Sequence, residues 1–285
     1  IYLVMAMENR IGFMQGRLSP IIDGKIQSFP WYNWKEEFIV GGKNNFHLLE
    51  WTLDQVNLYK NPLLSIKGRV DIKNLSTKHK IKIPSLTGDC FMQAPFWKAY
   101  GETLKELEKD FLNISKACKE LDIAFIVIPI VDNGSIENKK QEDHLVGFLI
   151  DNIERFRSNN QKIVFESDFE PKTLSRFIER FDSEYFGINY DIGNSASLGY
   201  SVEEEFKAYG NKIMNVHVKD REYRGTTVPL GEGNANFNKV FEKLGSFNYK
   251  GNFILQTARA IDDNHLSPLM HYRDMTSEWM HNFHL

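Results

Sequence analysis

The chain is poor in cysteine, has no long apolar run and carries no excess of positive charge. Only Cys90 and Cys118 are present among 285 residues, which excludes a disulfide scaffold and a Cys-rich zinc or iron–sulfur site. Reduced thiols in a cytoplasmic protein are the simplest interpretation. The 35 Lys and Arg residues against 38 Asp and Glu residues give a net charge of −3, which disfavours a dedicated binder of nucleic acid or anionic membranes.

No segment of the sequence has the composition of a membrane span or a domain linker. The longest apolar run, residues 123–131, is far shorter than the roughly 20 residues of a spanning helix. The opening segment IYLVMAM lacks a basic leader and a cleavage site, so it does not resemble a signal peptide. Its methionines leave open a natural start at Met5 or Met7, with residues 1–6 then foreign to the domain or disordered. Without a Gly/Ser-rich or Pro-rich linker, we expect one domain over residues 1–285.

Short apolar segments alternate with longer helical patterns along the chain. Residues 100–121 and 142–157 are typical amphipathic helices, with apolar side chains at three- and four-residue spacing. The segments that predict strands are residues 10–15, 46–50, 81–85, 123–130, 162–166, 186–191, 213–218 and 252–256. Eight strand–helix repeats over 285 residues predict an α/β fold, a single (β/α)8 TIM barrel. The alternative, an open doubly wound sheet, usually carries a Gly-rich phosphate loop after its first strand, and QGRLSP is not such a loop.

Polar side chains stand at the ends of predicted strands, which is where a barrel builds its active site. They are Glu50, Glu166, Asp191, His217 and Gln256. Taken singly, each is more often a capping, ion-paired or core residue than a ligand. The last four, however, end four consecutive predicted strands, and buried carboxylates are costly unless they are paired or bound to a cation. The combination predicts one divalent metal ion at these four residues.

Seven short motifs occur in an order that is typical of one family. They are FMQGRLSP, LLEWTLD, FESD, YDIGN, NVHVKDR, PLGEGNANF and FILQTAR. With them the chain resembles the xylose isomerase-like TIM barrels, in particular the sugar (phosphate) isomerase/epimerase branch. The resemblance implies one divalent ion bound by a Glu, an Asp, a His and a second Glu. The first three roles fall on Glu166, Asp191 and His217, and Mn²⁺, Mg²⁺, Co²⁺ and Zn²⁺ all suit such a donor set.

Two positions depart from the pattern of that family. The fourth ligand position holds Gln256, which can ligate through its carbonyl oxygen but has no acid that could serve as the second base of an epimerase. Asn194 stands where many relatives carry a histidine that contacts the substrate. An amide can hydrogen-bond a substrate oxygen there, but it cannot shuttle a proton.

The residues around the expected metal site divide into two groups. The expected catalytic groups are Glu166 as the principal base, with His217 and Lys219 assisting. The expected substrate-binding residues are Glu50, Asn194, Arg221 and Glu232, the last of these in the Gly-rich PLGEG loop.

The implied activity is the interconversion of a small sugar or sugar phosphate through a metal-stabilised enediolate. Because Gln256 cannot act as a second base, it favours a one-base aldose–ketose isomerisation over a two-base epimerisation. The alternatives are a metal-dependent dehydratase or lyase on a related polyol, and a non-catalytic carbohydrate-binding barrel that has lost its second base. The related three-zinc DNA-repair endonucleases need more histidines at strand ends. Neither nucleic acid nor a membrane is an expected partner, and the oligomeric state, including a homo-oligomer, stays open.

Overall fold

Eight parallel strands close into a barrel in the computed structural model, which describes residues 9–182 and 184–285. The strands of the wall are β1 (Ile11–Met14), β2 (Leu48–Thr52), β3 (Ser85–Thr87), β4 (Phe125–Ile130), β5 (Lys162–Ser167), β6 (Phe186–Asp191), β7 (Ile213–Val218) and β10 (Phe253–Leu255). Around the barrel their order is β1-β10-β7-β6-β5-β4-β3-β2, so strands that follow each other along the chain are neighbours in the wall. The predicted (β/α)8 barrel is confirmed, and the expectation for residues 1–6 lies outside the described residues.

Helices surround the wall and connect its strands. They are α1 (Trp34–Lys43), α2 (Ile66–His79), α3 (Asp89–Gln93), α4 (Gly101–Glu120), α5 (Lys139–Asp151), α6 (Ile153–Asn159), α7 (Pro171–Ile178), α8 (Ile192–Leu198), α9 (Val202–Tyr209), α10 (Phe237–Ser246) and α11 (Leu266–Asn282). In the part of the chain that the structure describes, none of them is long and apolar enough to cross a bilayer. The predicted helix over 142–157 is in fact two helices, because it is interrupted at Asn152, whose side chain donates back to the Phe148 carbonyl (2.9 Å).

The third strand lies later in the chain than the sequence predicts. Lys82 pairs with Leu48 through an isolated bridge, but the regular strand runs only over Ser85–Thr87. Pro84 separates the two, because it has no N–H to donate to a neighbouring strand. Its carbonyl still accepts from the Ala124 and Phe125 amides (both 3.1 Å). The prediction of residues 81–85 was therefore wrong by several residues, and the end of the strand is Thr87.

A two-stranded antiparallel ribbon follows β7. It consists of β8 (Asp220–Arg221) and β9 (Thr227–Val228), neither of which was predicted from the sequence. Strands this short carry too little alternation to be recognised from the sequence. The ribbon begins two residues after β7, so it lies at the carboxyl end of the barrel.

The two faces of the wall differ in polarity. Outward-facing side chains such as Phe165, Tyr190 and Val216 are buried in the apolar layer between strands and helices. On the same strands the alternate positions carry polar groups, among them Asn189 and Asn215, which are also buried. Because successive side chains of a strand point to opposite faces, these polar groups point into the barrel. The interior of this barrel is thus a polar network, which is costly unless its members bond to one another.

Candidate active site

Three adjacent strands bring Glu166, Asp191 and His217 together. Glu166 lies near the end of β5, Asp191 ends β6, and His217 lies beside Asp191 in the parallel pairing of β6 with β7. One potential ligand atom from each residue lies within 4.8 Å of those of the other two, and all three side chains are buried. The period-two alternation of the strands explains why all three point to the same interior space.

The His217 ring is held between two carboxylates. Its Nε2 lies 2.8 Å from Glu50 Oε1, and its Nδ1 lies 3.1 Å from Glu166 Oε2. Glu50 Oε2 in turn accepts from Ser85 Oγ (2.5 Å) and Asn215 Nδ2 (3.2 Å), so its position is fixed from behind. Burial alone lowers the pKa of His217, but the two flanking carboxylates outweigh burial and raise it to about 10. Glu50 therefore orients the ring and directs Nδ1 towards the cluster.

The Glu166 carboxylate is fixed by two amide side chains. Asn194 Nδ2 donates to Oε1 (2.7 Å), and Asn189 Nδ2 donates to Oε2 (3.1 Å). Burial opposes ionisation of this group, but the hydrogen bond and charge of His217 and the charge of Lys219 outweigh it, so the pKa of Glu166 is lowered. The group is thus an oriented carboxylate in its ionised form.

Asp191 links the wall to helix α8 and to a lysine. Its Oδ1 accepts from the Asn194 amide (2.8 Å) and caps the helix, while its Oδ2 lies 3.2 Å from Lys219 Nζ. The same ammonium donates to Gln256 Oε1 (3.4 Å) and Asn194 Oδ1 (3.3 Å). Burial raises the pKa of Asp191, and the charge of Lys219 opposes the rise. Oxygens of Asp191 and Gln256 therefore already converge on one positive charge.

The donor set is suited to a divalent cation. Glu166 and Asp191 offer carboxylate oxygens and His217 offers an imidazole nitrogen. Gln256 was predicted as the fourth ligand, and its amide oxygen accepts from the same Lys219 ammonium that lies against Asp191. The second nitrogen of His217 is bound by the Glu50 carboxylate, an arrangement that normally orients a metal-ligating histidine and increases its basicity. Both the donor atoms and the orientation of His217 by Glu50 therefore fit a metal ion.

A cavity of about 400 Å³ opens above the cluster. This volume is typical of a site for a small molecule. The structure brings five of the predicted site residues to its wall, namely Glu166, Asn194, Lys219, Arg221 and Gln256. Arg221 Nη1 also donates to Asn194 Oδ1 (2.8 Å), so Asn194 connects the cations to the Glu166 carboxylate.

The structure places two predicted substrate-binding residues elsewhere. Glu50 is fully buried beneath His217 and does not line the cavity, so its contact is with the histidine ring. Glu232 is exposed and also lies outside the cavity wall. The loop that carries Glu232 directs its Gly231 and Gly233 amides to the buried carboxylate of Asp220 (2.9 and 3.0 Å). The contact with Asp220 therefore explains why this loop is rich in glycine.

Other cavity residues were not predicted from the sequence, among them Arg17, Gln27 and Asp89. Gln27 Nε2 donates to Asp89 Oδ2 (3.1 Å), and its Oε1 accepts from Arg17 Nη2 (3.1 Å). Burial, with the charges of Asp54 and Glu166, raises the pKa of Asp89 to about 7. The correct end of β3 at Thr87 would have identified Asp89 as a strand-end residue. Gln27 has no such signal, because it lies in the long loop between β1 and α1 and not at the end of a strand.

Known proteins share this architecture and parts of this sequence. The family model described as xylose isomerase-like TIM barrel matches residues 43–273, most of the chain. The chain belongs to the xylose isomerase-like TIM barrel family. Within it, the chain is 23% identical over 244 residues to a Haemophilus influenzae protein provisionally named L-ribulose-5-phosphate 3-epimerase SgbU, an alignment covering 78% of the chain and 83% of that protein. It is 31% identical over 113 residues to protein MJ1311 of Methanocaldococcus jannaschii, covering 39% of the chain and only about a third (36%) of that protein.

Solved structures of the xylose isomerase-like type have the same fold. The IOLI protein, solved with a bound zinc atom, aligns with a TM-score of 0.76 at 15% identity, covering 96% of the chain and 99% of that protein. An L-ribulose 3-epimerase aligns with a TM-score of 0.70 at 14% identity, covering 96% and 95%. At this identity the likeness establishes the fold alone. Among the relatives by sequence and structure are sugar epimerases, which belong to the isomerase class.

Proposed function

We propose that the protein is a divalent-metal-dependent isomerase or epimerase of a small sugar or sugar phosphate. The observation that carries this proposal is the Glu166 carboxylate, which is buried, lines the cavity and belongs to the three-residue cluster with Asp191 and His217. A carboxylate so placed can take a proton from a sugar carbon and return it to the neighbouring carbon. The names of the relatives support the same reaction class.

The side chains of the cavity have distinct roles in the proposed reaction. Glu166, Asp191, His217 and Gln256 would hold the cation, which when bound polarises the sugar carbonyl and stabilises the enediolate. The amides of Asn189 and Asn194 favour the ionised form of Glu166 that a base requires. Lys219 and Arg221 face the cavity with N–H groups that can bind substrate oxygens.

Gln256 favours a one-base reaction within this proposal. A single carboxylate can move a proton between neighbouring carbons on one face of the sugar, which is an aldose–ketose isomerisation. Inversion at a carbon needs an acid on the other face, and an amide cannot supply it. Lys219 donates to Gln256 at 3.4 Å and is a group at this position that can give a proton. Epimerisation would therefore depend on Lys219, and loss of water from the same enediolate would make the protein a dehydratase.

Exchange of substrate hydrogen with deuterated water tests the proposal. The purified protein, with each of Mn²⁺, Mg²⁺, Co²⁺ and Zn²⁺, is incubated with a panel of ketoses and ketose phosphates, and the products are analysed by NMR. We expect deuterium to enter one α-position of one substrate. Glu166→Gln should lower the rate by about 10²–10⁴-fold, the usual contribution of a positioned base.

The matched control is Glu170→Gln, the same substitution at an exposed position shortly after β5. It should leave exchange unchanged, since Glu170 does not line the cavity. Equal exchange by wild type and Glu166→Gln would contradict the assignment of the base. Saturable binding of a sugar without exchange would instead support a carbohydrate-binding protein.

A further inference from the structure

Arg17 is a buried cation in the cavity wall without an acidic partner. The residue is 3% exposed and lines the cavity. Within residues 9–182 and 184–285, no carboxylate oxygen lies within 4 Å of its guanidinium, and the nearest charges that favour its ionisation are those of Glu37, Asp89 and Asp191. Burial lowers its pKa to about 9, with the neighbouring Arg259 adding to the effect, so the group stays charged at neutral pH. A buried charge without a counter-ion is costly, and an anionic ligand would remove that cost.

Neutral oxygens hold the guanidinium in place. Nε donates to the Thr257 carbonyl (2.9 Å), Nη1 to the Ile26 carbonyl (3.2 Å) and Nη2 to Gln27 Oε1 (3.1 Å). These bonds use three of the five N–H groups of an arginine. They fix its orientation but leave two donors and a full positive charge for a ligand. A rigid fork of this kind suits the paired oxygens of a phosphate or a carboxylate.

The other cations of the cavity are less suited to that role. Lys219 lies against the Asp191 carboxylate (3.2 Å), so its charge is already compensated. Arg221 is only half-buried, and solvent therefore shares its charge. Its Nε and Nη2 also share the Gly225 carbonyl (3.2 and 2.8 Å). Of the three cations in the cavity wall, Arg17 is therefore the most buried, and no carboxylate of the described residues lies within 4 Å of it.

Arg10 is a half-buried arginine that is likewise bonded to carbonyl oxygens but lies away from the cavity. It donates to the Gly251 and Tyr249 carbonyls at the amino end of the barrel, and its guanidinium lies over the rings of Tyr249 and Phe253. It does not line the active-site cavity. What distinguishes Arg17 is its place in the cavity wall, and Arg10 is the matched control.

We propose that Arg17, oriented by Gln27, is the subsite for an anionic group of the substrate, a phosphate or a carboxylate. The inference rests on the proposed function and narrows its substrate class to acidic sugars. Arg17 belongs to the loop after β1, whereas Glu166 lies on β5. The anionic end of the substrate is thus bound on the β1 side, and the reacting carbons lie towards Glu166.

Binding of inorganic phosphate to metal-depleted protein tests the subsite without any turnover. Calorimetry in the presence of a chelator compares wild type with Arg17→Gln, Arg17→Lys and Arg10→Gln. We expect wild type to bind phosphate, Arg17→Gln to bind about 10- to 100-fold more weakly, and Arg17→Lys to lie between them. Arg10→Gln should bind as wild type does. Equal affinity of wild type and a folded Arg17→Gln protein would overturn the proposal.

A second measurement uses only wild type and so does not depend on the folding of a variant. L-Ribulose 5-phosphate, D-glucuronate and L-ribulose compete separately against bound phosphate. Tighter binding of the phosphorylated sugar identifies a phosphate subsite, and tighter binding of the sugar acid identifies a carboxylate subsite. Competition by the neutral ketose equal to both would refute the anionic subsite. Deuterium exchange on a neutral sugar, unaffected by Arg17→Gln, would refute the subsite while leaving the proposed function intact.

Discussion

Gln256 is the residue at which this site departs most from a two-carboxylate epimerase. Its Oε1 faces Lys219 Nζ at 3.4 Å, and its Nε2 faces Gln27 Oε1 at 3.5 Å. The amide thus accepts on one side and donates on the other, and a glutamate could do only the first at neutral pH. Its chemistry fits a ligand and an orienting group, and it does not fit a base.

Gln256→Glu is expected to add the missing base. The new carboxylate keeps an oxygen towards Lys219, which also lies against Asp191, and it adds a negative charge, so metal affinity should be kept or increased. A product epimerised at the reacting carbon should then appear by NMR. Gln256→Leu, of similar size but without an oxygen, should bind metal more weakly and give no new product. Epimerisation by the wild type at the rate of Gln256→Glu would show that another residue is the second acid.

Helix α1 and the loop after β1 are joined by one buried carboxylate. Glu37 accepts from the Gly16 amide (2.9 Å) and the Leu18 amide (3.0 Å), and it fixes the loop that carries Arg17. Gly16 adopts a φ of +95°, a left-handed conformation that favours glycine. Burial raises the pKa of Glu37 from 4.5 to about 7, despite these hydrogen bonds. The loop that carries Arg17 is therefore held by the Glu37 carboxyl, which titrates near neutral pH.

The free energy of unfolding should depend on pH through Glu37. Below pH 4.5 the carboxyl is protonated in both states and contributes nothing. Between pH 4.5 and 7 the unfolded chain loses the proton while the folded protein keeps it, so the folded state loses stability as pH rises, by roughly 3 kcal/mol at most. Glu37→Gln should remove this loss, and the difference between variant and wild type should grow over that range in urea titrations. Glu36→Gln, at the exposed neighbouring position, is the control and should show no such change.

The ribbon after β7 depends on another buried carboxylate, that of Asp220. It accepts backbone N–H groups from Arg221, Gly231, Gly233 and Ala235 at 2.9 to 3.0 Å. A Cβ on Gly233 would lie 2.2 Å from Asp220 Oδ1, so only glycine permits this close approach. Glu232 of the PLGEG motif was predicted to bind substrate, but the structure uses the backbone amides of this motif to hold the loop to Asp220.

Asp220→Asn should loosen this loop. An asparagine has one acceptor oxygen, and its NH₂ group would face backbone N–H donors. We expect a loss of about 2–4 kcal/mol in the free energy of unfolding, and faster proteolysis within residues 222–235. Glu222→Gln, at an exposed position in the turn between β8 and β9, should change neither. An unchanged unfolding midpoint in Asp220→Asn would mean that the loop does not depend on the carboxylate.

At the scale of the whole molecule, the sequence predicts the barrel and much of its interior. Apolar segments at regular intervals predicted the eight strands, and the strand-end positions predicted the cluster of Glu166, Asp191 and His217. What could not be predicted came from contacts between distant segments. Pro84 displaced β3, so Asp89 was not recognised as a strand-end residue. The position of Arg17 depends on its hydrogen bond to the Thr257 carbonyl and on Glu37, which holds its loop. The alternation of β2 could have placed Glu50 inside the barrel, but its pairing with His217 needed the closed sheet.

Metal binding should stabilise the whole barrel, because Glu166, Asp191 and His217 come from three strands that are together only in the folded state. At a metal concentration about 100 times the dissociation constant, the gain is roughly 2.7 kcal/mol. Thermal unfolding with and without Mn²⁺, Mg²⁺, Co²⁺ or Zn²⁺ should show a rise of several degrees for at least one ion, and elemental analysis should find one ion per chain. Asp191→Asn keeps an oxygen that can cap α8 but removes a charged ligand, so it should lose most of the rise. Asp151→Asn, the same substitution at an exposed position, should keep it. If no ion raises the unfolding temperature of the wild type, the cluster is a buried ion-pair network and the metal-dependent mechanism is wrong.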